Sequence, residues 1–278
     1  MSDLEAINAE RADAKAQLNA WRNNPVTLAR PVYFVPGLSD EEGLSAWGVD
    51  GERWCFRTQM PLVCTNPDWI RFHDFLQGQP SQPPHYENFI AFGRDLARRI
   101  WDDAAHSNDK VDIVCHSMGG LDAFSAIALL DDYPELGVQP LRLVHNIIAF
   151  DTPFTGFNAA DNGIFLKLKR LSRPDEPTLI SQAVAMKTGS LRMLEVGGQR
   201  DKFLRNVEAF YPRGADNYGG LLEVPHESAE FGSRSSFAPE WRDRYRKYEY
   251  WEDTNHSGAK GVTRDPRAMV EAISILVE

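Results

Sequence analysis

The sequence predicts an α/β protein with a mostly parallel sheet, and three consecutive segments carry that prediction. Residues 111–115 form an apolar run interrupted only by Asp112, which is typical of a strand buried on both faces. Residues 118–130 are apolar nearly all round, as in a buried helix. Residues 141–150 return to a strand pattern. Strand, helix and strand in succession imply parallel pairing through a crossover helix.

The flanking segments fit the same architecture. Residues 31–35 (PVYFV) are aromatic and β-branched, which indicates another strand, and residues 85–101 have the apolar periodicity of a helix. Near the end, residues 245–251 indicate a strand, and Asp265-Pro266 predicts the start of a final helix because proline is tolerated at the first helical position. Residues 1–24 are predicted as an N-terminal helix closed by Pro25, and residues 25–278 as the main domain.

Composition limits the function classes. Of the 278 residues, 42% are hydrophobic and 25% charged, as in an ordinary globular protein, and the net charge of −10 argues against nucleic acid or an anionic membrane as a standing partner. No signal-peptide pattern and no apolar run of about 18 residues occurs, which predicts a cytoplasmic protein without stable membrane insertion. Cys55, Cys64 and Cys115 show no zinc spacing, so free thiols are expected, although a Cys55–Cys64 disulfide is conceivable.

The junction between the first strand and helix carries the chemistry. There the chain reads His116-Ser117-Met118-Gly119-Gly120. A strand that turns into a helix within a few residues bends sharply at the serine, which leaves the hydroxyl clear of the sheet, and glycines let the segments approach. The first helical amides and the helix dipole then favour negative charge beside the serine. The alternative is that Ser117 only caps a helix.

Two motifs resemble a known family. The segment HSMGGLDA is similar to the Gly-x-Ser-x-Gly nucleophile elbow of α/β-hydrolases, in particular of bacterial lipases and esterases, with Cys115 in place of the first glycine. Residues 151–156 (DTPFTG) resemble the T-P-x-x-G that follows the next strand in bacterial lipases and related inositol deacylases. The resemblance implies an α/β-hydrolase fold of about six strands flanked by helices, with a helical cap or lid inserted at about residues 155–210.

The resemblance also implies a serine, an acid and a histidine in that chain order. Three histidines follow Ser117: His145 within a strand, His226 in a loop, and His256 in a loop between the last strand and the final helix. The position of His256 matches the family's ending, so His256 is predicted to be the base. His226 stays open as an alternative.

Asp216 is predicted to be the acid. It follows the strand-like residues 207–211 and precedes residues 224–229 (VPHESA), which are similar to a stretch found after the acid in several lipases. Asp151 also ends a strand, at the sheet edge where such folds place their chemistry, but most of the family carries the acid after the next strand. The other candidates are Asp201, Glu223 and Glu227.

The backbone amides of Leu38 and Met118 are the oxyanion donors that the resemblance implies, with Pro36 replacing a histidine common in the first loop. The expected function is hydrolysis of a small-molecule or lipid carboxylic ester through an acyl-enzyme on Ser117, with no metal or organic cofactor. An acyltransferase using the same triad and a non-catalytic binding protein on this fold are the alternatives. The sequence leaves open the acyl chain length, the alcohol and the oligomeric state.

Overall fold

The structure is a computed structural model built around one parallel sheet. It describes residues 3–37, 45–48, 52–73, 89–107, 110–132, 134, 141–156, 186, 188–216, 224–256 and 260–278. Within these residues the strands are β1 (Val32–Val35), β2 (Ile70–Phe72), β3 (Val111–His116), β4 (Val144–Phe150), β5 (Ala209–Ala215) and β6 (Glu249–Trp251). Their order is β2-β1-β3-β4-β5-β6, and every neighbouring pair is parallel. The predicted six-stranded parallel sheet is therefore confirmed.

The sheet is buried on both faces because its central strands β3 and β4 are mostly apolar and send side chains into two buried layers. Ile113 and Cys115 of β3 point into one apolar layer, whereas Val114 points into the other. In β4, Ile148 and Phe150 belong to the same layer as Val114. Because alternate side chains enter two buried layers, these strands are mostly hydrophobic in sequence and do not alternate between apolar and polar residues.

Helices cover both faces of the sheet. Those described are α1 (Asp3–Asn23), α2 (Phe56–Val63), α3 (Phe89–Ser107), α4 (Met118–Phe124), α5 (Leu191–Gly198), α6 (Arg200–Asn206), α7 (His226–Ala229) and α8 (Pro266–Leu276). Helix α4 continues through a π-helical turn, Ser125–Leu129, into a short 3-10 turn. Across the part of the chain that is described, no helix has the length and apolarity needed to cross a membrane.

The first and last helices pack together on one side of the sheet. Leu18 of α1 and Ile273 of α8 share one apolar cluster. Arg11 of α1 donates to the Asp265 carboxylate at 2.9 Å. Asp265 also caps α8 by accepting from the Arg267 amide at 2.9 Å, and Pro266 takes the first helical position. The predicted start of the final helix is thus confirmed.

A buried polar cluster lies at the amino ends of β3 and β4. Asp112, the polar exception in the β3 run, is fully buried and lies 3.3 Å from the Arg30 guanidinium. Its Oδ1 accepts from the Asn146 amide of β4 at 2.9 Å. His145 lies beside this cluster on β4, with its Nε2 3.0 Å from the Glu208 carboxylate. Asp112 is therefore tolerated in a buried strand because a cation and a backbone amide satisfy it.

Most of the predicted cap, residues 155–210, lies outside the described residues. Helices α5 and α6 fall within residues 155–210, while residues 157–185 are not among the described ones. The division into an N-terminal helix, a main domain and a cap therefore stays a prediction. Cys55, Cys64 and Cys115 are free and buried, in line with the expected free thiols.

Candidate active site

The turn from β3 into α4 holds Ser117 in a strained conformation. Its φ is 54° and its ψ −129°, and its amide donates to the Phe150 carbonyl of β4 at 2.9 Å. Two glycines make the bend possible: a Cβ on Gly119 would collide with backbone oxygens at the end of β1, and one on Gly120 with the Thr152 side chain. Helix α4 therefore packs closely against the chain at the ends of β1 and β4 because Gly119 and Gly120 have no side chain.

The loop after β1 also presses against the serine. A Cβ on Gly37 would lie 2.5 Å from Ser117 Cβ, so this position admits only glycine without displacement. The next residue, Leu38, lies outside the described residues, so the structure does not place its amide. Met118 is the first residue of α4 and is buried directly after the serine.

The structure brings Ser117 and His256 together. His256 Nε2 lies 2.9 Å from Ser117 Oγ, and His256 Nδ1 lies 2.6 Å from Asp151 Oδ2. The Asp151 side chain is fully buried and that of His256 is 5% exposed. A carboxylate on Nδ1 holds the proton there, which leaves Nε2 free to accept the serine proton.

Backbone groups of β5 fix the carboxylate of Asp151. Its own amide donates to the Arg213 carbonyl at 2.6 Å, and its Oδ1 accepts from the Ala215 amide at 3.2 Å. Its φ of 48° turns the chain sharply after β4. Asp151 thus links the end of β4 to β5 through its amide and Oδ1, while its Oδ2 contacts His256.

The structure corrects the choice of Asp216, which does not contact His256. Asp216 Oδ2 accepts from the Asp253 amide at 3.4 Å, and the Asp216 amide donates to Thr254 Oγ1 at 3.4 Å. Asp216 follows β5, one strand further from the serine than Asp151, and it braces the turn before His256 instead of the imidazole.

The remaining candidates lie elsewhere. Asp201 accepts from the Ala238 amide, Glu227 is exposed, and Glu223 is outside the described residues. His226 is exposed, with Nδ1 2.7 Å from the Tyr248 hydroxyl.

Sequence reasoning missed one histidine at the site. The Nε2–H of His116 donates to the backbone carbonyl of His256 at 2.7 Å, and the two rings lie 4.7 Å apart. His116 is 4% exposed, and burial together with the neighbouring His256 holds its pKa well below its usual value. A neutral His116 therefore holds the backbone of the His256 loop through this hydrogen bond. The position of His116 next to Ser117 in the sequence was the available signal. Its contact with the His256 carbonyl, however, depends on the tertiary fold.

Two segments singled out for their resemblance to lipases contact each other. Ser228 Oγ donates to the Gly156 carbonyl at 2.7 Å and accepts from the Thr155 amide at 3.1 Å. The TPFTG turn after β4 is thereby pinned to α7. No cluster of three or more His, Cys, Asp or Glu side chains suited to a metal occurs in the described ranges.

Fold and site together define the class: the chain has the α/β-hydrolase fold, with a Ser-His-Asp constellation at the carboxyl ends of its strands. The model of the family described as "Putative serine esterase (DUF676)" matches residues 75–209, which include the elbow and Asp151. No curated protein sequence matches the chain.

Solved structures agree on the fold. Phospholipase PlaB from Legionella pneumophila is 14% identical with a TM-score of 0.58, covering 91% of this chain. The match spans only 59% of that phospholipase. A peroxisomal alpha-beta-hydrolase from Saccharomyces cerevisiae is 11% identical with a TM-score of 0.50, covering 90% of this chain and 76% of the yeast protein. At such identities these likenesses concern the fold alone.

Proposed function

We propose that the protein is a serine hydrolase that cleaves carboxylic esters through an acyl-enzyme on Ser117. The observation that carries this is the unbroken series from Asp151 through His256 to Ser117, with contacts of 2.6 Å and 2.9 Å. The family description and the similarity to a phospholipase support ester chemistry. The substrate would be a small-molecule or lipid ester.

In the first half-reaction, His256 Nε2 accepts the proton of Ser117 as Oγ attacks the ester carbonyl carbon. The carbonyl π bond opens, and the tetrahedral intermediate carries its negative charge on the former carbonyl oxygen. Asp151 stabilises the imidazolium formed at His256. As the intermediate collapses, the bond to the alcohol oxygen breaks, and His256 returns its proton to that oxygen. The products are the free alcohol and an acyl ester on Ser117.

The second half-reaction repeats these steps with water. His256 accepts a proton from water as the water oxygen attacks the acyl carbon, and it then protonates Ser117 Oγ as the acyl bond breaks. The carboxylic acid leaves and the starting enzyme is restored. No external redox partner enters the balance.

The oxyanion of both intermediates requires backbone donors. We assign one donor to the amide of Met118, which directly follows Ser117 at the start of α4, and the second to the amide of Leu38, the residue after Gly37. One well-aimed donor in such a site contributes about 3 kcal/mol to lowering the barrier.

The test is hydrolysis of p-nitrophenyl esters of graded acyl length by wild type, Ser117→Ala and His256→Ala, each checked for folding by circular dichroism. We expect wild type to turn over and both variants to lose nearly all of that rate. The dependence on acyl length separates esterase from lipase behaviour. An added alcohol that diverts the acyl group into a new ester would indicate acyl transfer. Inert wild type, or an active Ser117→Ala variant, would contradict the proposal.

A further inference from the structure

A basic cavity of about 350 Å³ lies away from Ser117, between α1, the segment before α2 and the chain that follows the His256 loop. Its basic lining residues are Arg11, Lys15, Arg53, Lys260 and Arg264. Among the described residues, two carboxylates line it, those of Glu52 and Asp265. Since the whole chain carries a net charge of −10, this cationic concavity runs against the charge of the molecule.

Three of these cations are already held by carboxylates. Arg11 lies 2.8 Å from Asp253 and 2.9 Å from Asp265. Lys260 lies 2.7 Å from Asp253. Arg264 lies 2.7 Å from Glu52. The charges of these three cations are therefore largely offset.

The two remaining basic residues of the lining, Lys15 and Arg53, lie beside the Trp54 indole instead. Lys15 Nζ and the guanidinium carbon of Arg53 lie 5.5 Å and 5.1 Å from the centre of the Trp54 ring, and the Arg22 guanidinium carbon lies 5.5 Å from it. Neither Lys15 nor Arg53 forms an ion pair with a carboxylate of the described residues. The indole attracts each cation but does not cancel the repulsion between them. An anion bound in the cavity that both residues line would offset these charges.

We propose that this cavity binds a phosphate-bearing anion, either a free phosphate compound or a lipid headgroup. Guanidinium and ammonium groups are the donors that recognise phosphate, and a phosphomonoester carries close to two negative charges at neutral pH, which matches Lys15 and Arg53. The cavity has room for a phosphate group with a small organic substituent. The indole of Trp54 walls the site and is the natural reporter of occupancy.

The cavity is connected to the His256 loop through Asp253. Arg11 and Lys260 both hold the Asp253 carboxylate, which stands three residues before His256 at a positive φ of 55°. A phosphate that competes for Arg11 or Lys260 would loosen that anchor. Binding is therefore expected to change the rate of the Ser117 reaction. This last expectation rests on the proposed function, whereas binding itself does not.

Binding is measured by calorimetric titration of the full chain with inorganic pyrophosphate and inorganic phosphate. The pocket variant is Lys15→Ala with Arg53→Ala, and Lys15→Gln with Arg53→Gln is a second version that keeps most of each side-chain stem. The control, Arg205→Ala with Lys247→Ala, removes two exposed cations that do not line the cavity and so changes the net charge equally. We expect pyrophosphate to bind at least about tenfold more weakly to both pocket variants, with the control unchanged.

A vesicle arm distinguishes the two sources of phosphate. Phosphatidylcholine vesicles with and without phosphatidate are sedimented with each protein. Co-sedimentation that needs phosphatidate and is lost in the pocket variants identifies a lipid headgroup, whereas pyrophosphate binding without co-sedimentation identifies a free compound. Absence of binding to all probes, or binding that the pocket and control variants weaken equally, would overturn the proposal. None of these readouts depends on esterase activity, so failure here and failure of the proposed function are separable.

Discussion

Two aspartate–histidine pairs lie at opposite ends of the same two strands. At the amino ends of β3 and β4, Asp112 Oδ1 lies 3.7 Å from His145 Nδ1. At the carboxyl ends, Asp151 Oδ2 lies 2.6 Å from His256 Nδ1. Both aspartates are fully buried, so burial alone does not distinguish the two pairs.

The difference lies in the third partner. Asp112 is shared with Arg30 and the Asn146 amide, and His145 directs its other nitrogen to the Glu208 carboxylate at 3.0 Å. A carboxylate offers no proton to abstract, so the pair at the amino ends can only hold strands together. His256 directs its other nitrogen to the hydroxyl of Ser117. Of the two pairs, we therefore expect catalysis only at Asp151 and His256, where the turn after β3 presents the Ser117 hydroxyl.

Substitution of the two histidines is expected to affect activity very differently. We expect His256→Ala to lower kcat/KM on p-nitrophenyl esters by about 10⁵-fold, because the general base is lost, and His145→Ala to change it less than about threefold. Steady-state kinetics of the two purified variants measure this directly. An equal loss in both variants would mean that the pair at the amino ends also acts in catalysis.

Asp112 is expected to govern stability instead of rate. Asp112→Ala leaves the Arg30 guanidinium without its buried partner and the Asn146 amide without an acceptor, so we expect a loss of about 3 kcal/mol in the free energy of unfolding. The kcat/KM of the folded fraction should be unchanged. Urea unfolding gives the first quantity, with Asp243→Ala at an exposed surface position as the control. A large fall in kcat/KM without a loss of stability would contradict this division.

The smallest of these effects is the contribution of His116 to the loss of stability at low pH. Because the pKa of His116 is lowered in the folded state, the unfolded chain binds an extra proton below about pH 6.5, and stability falls as pH drops toward the folded pKa. Between pH 7 and pH 5 this single group accounts for up to about 2 kcal/mol of lost stability. His116→Gln should lose that much less on acidification. The exposed His226→Gln serves as the control, and identical acid sensitivity in wild type and His116→Gln would refute the argument.

Much of the fold followed from local patterns. Strands β3 and β4 and the Asp265-Pro266 start of α8 could be predicted because a mostly apolar run and a helix cap each depend on consecutive residues. Ser117 and His256 were singled out by the glycines around the bend and by chain order, and the structure brings them together.

Other parts of the site could not be predicted, for a physical reason. Whether Asp151 or Asp216 reaches His256 depends on strand order and on the positive φ of Asp151, which a sequence does not display. The support from His116 joins residues 140 positions apart. The basic cavity likewise assembles from three distant segments around Lys15, Arg53 and Lys260, none of which is notable alone.

In the proposed mechanism Asp151, and not Asp216, orients His256 and stabilises its imidazolium. The most direct test compares kcat/KM of Asp151→Asn and Asp216→Asn on one p-nitrophenyl ester, with unfolding curves to verify both variants. We predict a fall of about 10³- to 10⁴-fold for Asp151→Asn, because the wrong tautomer of His256 is favoured, and less than about fivefold for Asp216→Asn. A severe loss in Asp216→Asn with near-normal activity in Asp151→Asn would contradict the account.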